Sequence, residues 1–250
     1  TRQTVILEDR ARGGGEKQMI ASVLSAHTQS IVRLYRWRAD SQELPLSTLP
    51  TDEQFIGYAL VVTSDGWLVT TLELSDSLGS FTAITPDGRA APLQKIIRDT
   101  VAGYTFVRIT AQNLQAITFE SLSDPLRVQD AYVIPDAATV ERVTLSVPRY
   151  PQSVSSPLSV LHTNRLSKMY NPNVANAAVC MPVVRDERVV LGCTLEQGVR
   201  SFRYLQRSLS DLLRKEAIER PAIDIPYIDL SALPLPLDEK YRNGARITTD

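Results

Sequence analysis

The stretch FIGYALVVTSDGWLVTTLEL, residues 55–74, decides how the chain is read. Two apolar runs flank Ser64-Asp65-Gly66. An Asp-Gly pair tolerates the positive φ values of a tight hairpin, so the stretch is read as strand, turn and strand. The same grammar recurs on either side. SFTAITPDGRAAPLQKIIRD, residues 80–99, turns at Pro86-Asp87-Gly88, and CMPVVRDERVVLGCTLE, residues 180–196, turns about Arg185-Asp186-Glu187-Arg188. SIVRLYRWR (30–38), TFVRIT (105–110), AYVIPD (131–136) and RVTLSVP (142–148) are further strands. Short strands with regular turn signals predict an antiparallel sandwich or barrel.

Helical spacing is confined to the two ends. EKQMIASVLSA, residues 16–26, sets Met19, Ile20, Val23 and Leu24 on one face, which predicts a short helix. Over 201–219, Phe202, Leu205, Leu209, Leu212 and Leu213 form one stripe, which predicts an amphipathic helix packed on the sheets. Before the first helix, Arg10-Ala-Arg12-Gly-Gly-Gly15 reads as a charged linker, so residues 1–28 form a leader. Residues 220–250 hold prolines at 221, 226, 234 and 236 and read as an extended tail.

Bulk composition narrows the function classes. The chain has 250 residues, 43% hydrophobic and 22% charged, which is enough length and apolar content for a real core. With 27 basic and 28 acidic residues the net charge is -1, and no basic excess points to nucleic acid. Arg33, Arg36 and Arg38 alternate with apolar residues, as on a strand with one wet face. No apolar run approaches the roughly 18 residues of a membrane helix. The chain begins at Thr1 without a methionine, which reads as a processed chain and leaves room for an anchor upstream. Cysteines are two, Cys180 and Cys193, and histidines are two, His27 and His162. That set makes no disulfide framework and no metal-ligand spacing, so no metal and no cofactor is expected.

The order of these pieces resembles the HtrA (Deg) family of bacterial trypsin-like serine proteases over roughly residues 20–247. ALVVTSDGWLVTTLEL looks like the hairpin that leads to the family's catalytic histidine. ITPDGRAAPLQKIIRDTVAGYTFVRI looks like the hairpin and strand that carry its aspartate. SLSDPLRVQDAYVIPD is similar to the start of its second barrel, and VCMPVVRDERVVLG to the hairpin after its nucleophile. LLRKEAIERPAIDIPYIDL resembles the helix and linker that enter a PDZ domain, of which NGARIT would be the first residues. The resemblance implies an all-β, chymotrypsin/trypsin-like double β-barrel over 29–200, with barrels of about 29–120 and 121–200 and a short helix at each end.

It also implies where the catalytic triad should stand. A triad protease needs a histidine base, a carboxylate that orients it, a serine nucleophile and N–H groups for the oxyanion. The corresponding positions here are Glu73, Gly103 and Val179. The nucleophile turn, glycine-rich in the family, reads Ala177-Ala178-Val179-Cys180-Met181-Pro182, which predicts an ordinary extended backbone there. His27 precedes the first strand and His162 follows both the histidine and aspartate positions, so neither fits the family's chain order. Losing the nucleophile or the base of such a triad costs about 10⁶ in kcat. The expected product is an inactive pseudoprotease that binds a protein or peptide in the cell envelope, on its periplasmic or extracellular side. Related enzymes form trimers, so a homo-oligomer is expected too.

Two other readings stay open at this stage. One is a hydrolase with a shifted nucleophile, Cys180, assisted by His162 or Glu73. A lone carboxylate is a poor base unless desolvated, and Cys180 also reads as a small buried residue. The other is a passive spacer. The cysteines carry a structural expectation as well. A turn centred between Asp186 and Glu187 sets Val184 opposite Val189, Pro182 opposite Leu191, and Cys180 opposite Cys193. Two buried free thiols are the ordinary outcome, and a disulfide between them is the alternative.

Overall fold

The computed structural model describes residues 14–38, 49–74, 78–99, 102–119, 129–136, 139–145, 169–170, 180–185, 189–195, 198–202, 205–219, 227–229 and 245–247. Within the first half, strand period sets the architecture. β1 (Ile31–Tyr35) buries Val32 and Leu34 and exposes Arg33, as an alternating strand should. β2 (Phe55–Val61) and β3 (Trp67–Thr70) are buried on both faces. Their two faces serve different cores. Ala59, Val61 and Leu68 point into one cluster with Val32, Leu34, Val107 and Ile109. Leu60, Trp67 and Val69 point the other way, into a cluster that includes Cys180, Val190, Phe202 and Leu212. With β4 (Thr82–Ile84), β5 (Ala90–Asp99) and β6 (Tyr104–Ile109), these strands close a six-stranded antiparallel barrel in the order β1-β2-β3-β6-β5-β4.

The first-barrel turns fold as their sequences dictate. Thr63 Oγ1 donates to Asp65 Oδ1 (2.5 Å) and accepts from the Trp67 N–H (3.1 Å). Asp65 also pairs with Arg108 on β6 at 2.9 Å. Gly66 takes φ +105°, and a Cβ there would overlap the Ile109 carbonyl oxygen. Only glycine meets both conditions. Thr85-Pro86-Asp87-Gly88 repeats the device, with Thr85 Oγ1 donating to Asp87 Oδ1 at 2.5 Å.

The second half contains β7 (Gln129–Asp136), β8 (Thr139–Leu145), β9 (Met169–Tyr170), β10 (Pro182–Val184), β11 (Val190–Leu195) and β12 (Gly198–Ser201). Among the described residues these make a six-stranded antiparallel sheet, order β8-β7-β10-β11-β12-β9. The expected second closed barrel is therefore seen as a sheet. The segments beside its outer strands lie outside the described residues. The β10–β11 register also differs from expectation. Pro182 stands opposite Cys193, Val183 opposite Gly192 and Val184 opposite Val190, with a bulge between Val183 and Val184. The hydrogen bond from the Arg185 N–H to the Val189 carbonyl, at 3.0 Å, pairs 185 with 189 instead of 184 with 189; residues 186–188 lie outside the described residues.

The end elements depart from the sequence reading in detail. α1 (Gly14–His27) inserts Ile20 and Val23 into the core between the two halves. Ser201 closes β12, and α2 spans Leu205–Lys215, a shorter helix than the stripe suggested. Leu205 and Leu212 are fully buried, whereas Leu213 is 53% exposed. In the proline-rich tail, β13 (Tyr227–Asp229) pairs with β14 (Ala245–Ile247), where the sequence suggested only extended chain. Among the described residues, no helix is long and apolar enough to cross a membrane.

Candidate functional site

The site is built where the barrel meets the second sheet. Its first wall is the loop after β3. Thr70 Oγ1 donates to the Tyr58 carbonyl (2.7 Å) and Thr105 Oγ1 to the Leu72 carbonyl (2.7 Å). Leu74 is buried in the barrel core, so the loop is anchored on both sides of Glu73. Glu73 itself is exposed. Thr71 Oγ1 crosses to the Thr194 carbonyl of β11 at 3.3 Å and ties this loop to the second sheet.

The second wall is the tight turn between β5 and β6. Asp99 organises it from a buried position. Its carbonyl accepts the Gly103 N–H (2.7 Å), and its Oδ1 accepts the Ala102 N–H (3.0 Å). Its Oδ2 accepts a short hydrogen bond from Ser208 of α2, which is also buried. The turn leaves Gly103 at φ +69°, in left-handed backbone.

Arg200 comes into this turn from β12. Its Nη1 donates to the Ala102 carbonyl at 2.6 Å. A Cβ built on Gly103 would overlap Nη1 and Cζ of Arg200 and lie 2.9 Å from Nη2. The guanidinium thus occupies the volume into which any side chain at 103 would grow. Burial pushes Arg200 below its ordinary pKa, while the charges of Tyr104, Asp99 and Glu73 pull it back up. A guanidinium has no acceptor and stays protonated in proteins, so it cannot take a proton from a nucleophile.

The third element is the turn before β10. Cys180 lies at φ +60°, which corrects the expectation of extended backbone there. The left-handed turn survives without glycine because it is held on two sides. The Cys180 N–H bonds the Thr194 carbonyl (2.9 Å), and the Met181 N–H bonds Thr194 Oγ1 (2.9 Å). Cys180 is also joined to Cys193 in a disulfide, with Cα atoms 4.6 Å apart, and both are fully buried. A sulfur in a disulfide offers no thiolate. The disulfide forms although the strand register sets Pro182, not Cys180, opposite Cys193. Val179 and His162 lie outside the described residues, as do Ala177 and Ala178. The structure therefore brings Glu73, Gly103 and Cys180 to one junction. It adds Arg200, Asp99 and Ser208, which sequence reasoning missed. Arg200 carried no local signal, because its contact with Ala102 spans 98 positions of sequence.

Similarity to known proteins lies in the fold. No family model matches the chain, and no curated protein matches it. Solved structures do. The HtrA-type protease AlgW with a decapeptide aligns at TM-score 0.55 and 15% identity, over 84% of this chain and 70% of that one. Another AlgW structure with a decapeptide aligns at 0.57 and 14%, over 84% and 71%. The serine endoprotease from Yersinia pestis aligns at 0.54 and 12%, over 83% and 71%. The class defined by these neighbours is the HtrA-type, trypsin-like protease fold. At these identities the likeness carries the fold alone.

Proposed function

We propose that this chain is a catalytically inactive, HtrA-like pseudoprotease whose double-barrel body serves as a protein- or peptide-binding scaffold or regulator. One observation carries the reading. At the position corresponding to the orienting aspartate there is a glycine, and a half-buried guanidinium lies against it. The histidine position is Glu73, and the chain's two histidines stand elsewhere in the family's order. Cys180, the nearest nucleophile to the lost serine, is buried in a disulfide. Disulfides persist in oxidising compartments, which supports the bacterial cell envelope as the setting. An extended partner segment added to a strand edge is the binding mode that such sheets favour.

Incubation of the purified chain with casein, beside an active HtrA-type protease, tests the reading. No cleavage and no labelling by serine- or thiol-directed probes are expected. Cleavage that disappears in Cys180→Ser or His162→Ala would overturn it. Immobilised chain should also capture a specific extended peptide, and a chain that retains none from a random peptide library is a passive spacer instead.

A further inference from the structure

We propose that Arg200 is a built-in plug that keeps position 103 closed to any side chain and clasps the two halves together at the former aspartate position. The proposal deepens the inactive reading and rests on it.

Gly103 is at φ +69°, and the space a Cβ would enter is filled by Nη1 and Cζ of Arg200. Arg200 does not merely drift there. Nη1 is fixed on the Ala102 carbonyl at 2.6 Å, and the side chain is half-buried. Asp99 lies one turn away, with its Oδ1 on the Ala102 N–H and its Oδ2 on Ser208 of α2. Arg200 belongs to β12 of the second sheet, while Ala102 and Gly103 belong to the barrel. The guanidinium therefore crosses the junction where a triad would otherwise have to assemble.

A consequence follows for the chemistry. Restoring histidine, aspartate and serine at 73, 103 and 179 would not rebuild a triad while Arg200 stays. A carboxylate at 103 would have to displace the guanidinium from the Ala102 carbonyl and would then pair with it, leaving its oxygens engaged by Arg200 in place of a histidine. The loss of the aspartate and the presence of Arg200 form one interlocked change.

A double-mutant cycle with Gly103→Ala and Arg200→Met tests this by urea unfolding of the full chain. The left-handed strain of alanine at 103 is common to both backgrounds and cancels. Gly103→Ala should lower the folding equilibrium constant at least about tenfold more when Arg200 is present than in the Arg200→Met background. Equal penalties in the two backgrounds would overturn the plug. Should Gly103→Ala alone fail to fold, recovery of folded protein on adding Arg200→Met supports the proposal, and no recovery overturns it. Should Arg200→Met fail to fold, Arg200→Lys, which keeps the charge but not the planar fork, replaces it in the same cycle. Casein cleavage by the wild-type chain would sink the inactive reading without touching the cycle. Additive penalties would sink the plug and leave inactivity intact.

Discussion

The β2–β3 and β10–β11 hairpins hold two antiparallel strands in register by opposite means. In the first, the turn is built from its own residues. Thr63, Asp65 and Gly66 build the turn, and Arg108 pins it from the adjacent strand. In the second, the turn sequence contains no glycine and the ladder carries a bulge. Its hold comes from the other end, where Cys180 is joined to Cys193 and the turn is pinned on Thr194. Turn chemistry fixes register cheaply where the chain can adopt it. Where it cannot, a covalent tie and buried hydrogen bonds take over.

The largest effect should come from cutting that tie. Cys193→Ser, or reduction of the native protein, should cost about 3 kcal/mol for a loop of this length. Thermal unfolding with and without a dithiol reductant measures it. An unchanged transition would show that Thr194 and the packed core suffice. Next in size is the local hairpin. Gly66→Ala imposes left-handed strain and a collision with the Ile109 carbonyl, so it should cost about 2 kcal/mol in urea denaturation. Thr194→Val removes the Oγ1 that accepts the Met181 N–H and leaves that buried amide without it. A loss of about 1–2 kcal/mol is expected, and a neutral effect would leave the disulfide and the backbone bond from Cys180 to the 194 carbonyl as the hold.

The smallest effect is a titration. Asp65 is held below its ordinary pKa, first by the Thr63 hydroxyl and then by the charge of Arg108. A depressed carboxyl contributes stability that is present above its unfolded value and is lost as pH falls through the folded one. Thr63→Ala should move the Asp65 titration upward towards its ordinary value and narrow that acidic window. A ¹³C-detected NMR titration reads this directly. Asp87, held low by Thr85 in the matching turn, should not move and serves as an internal control.

The same contrast explains what was legible beforehand. The first barrel could be read because Asp65-Gly66 and Asp87-Gly88 announce their turns and the apolar runs between them have strand length. β12 was hidden because Phe202 and Leu205 continue the helical stripe of α2 backwards across the true boundary. β9 is two residues long, and β13 and β14 are three each, too short for a period to register. Glu73 and Gly103 were singled out through the resemblance alone. Arg200 was not, since side chains meeting across two sheets leave no mark in local pattern. Two buried free thiols were the expected outcome and the disulfide only the alternative; the structure joins Cys180 to Cys193, in a register other than the one the pairing arithmetic assumed.

A polypeptide that leaves the ribosome N-terminus first finishes β1–β6 well before Cys193, Phe202 and Leu212 emerge. Through that interval Leu60, Trp67, Val69 and Phe106 form an apolar wall that Ile20 and Val23 of α1 cover only in part, because its partners from the second half have not yet been made. Nascent chains in this condition invite chaperones or clump.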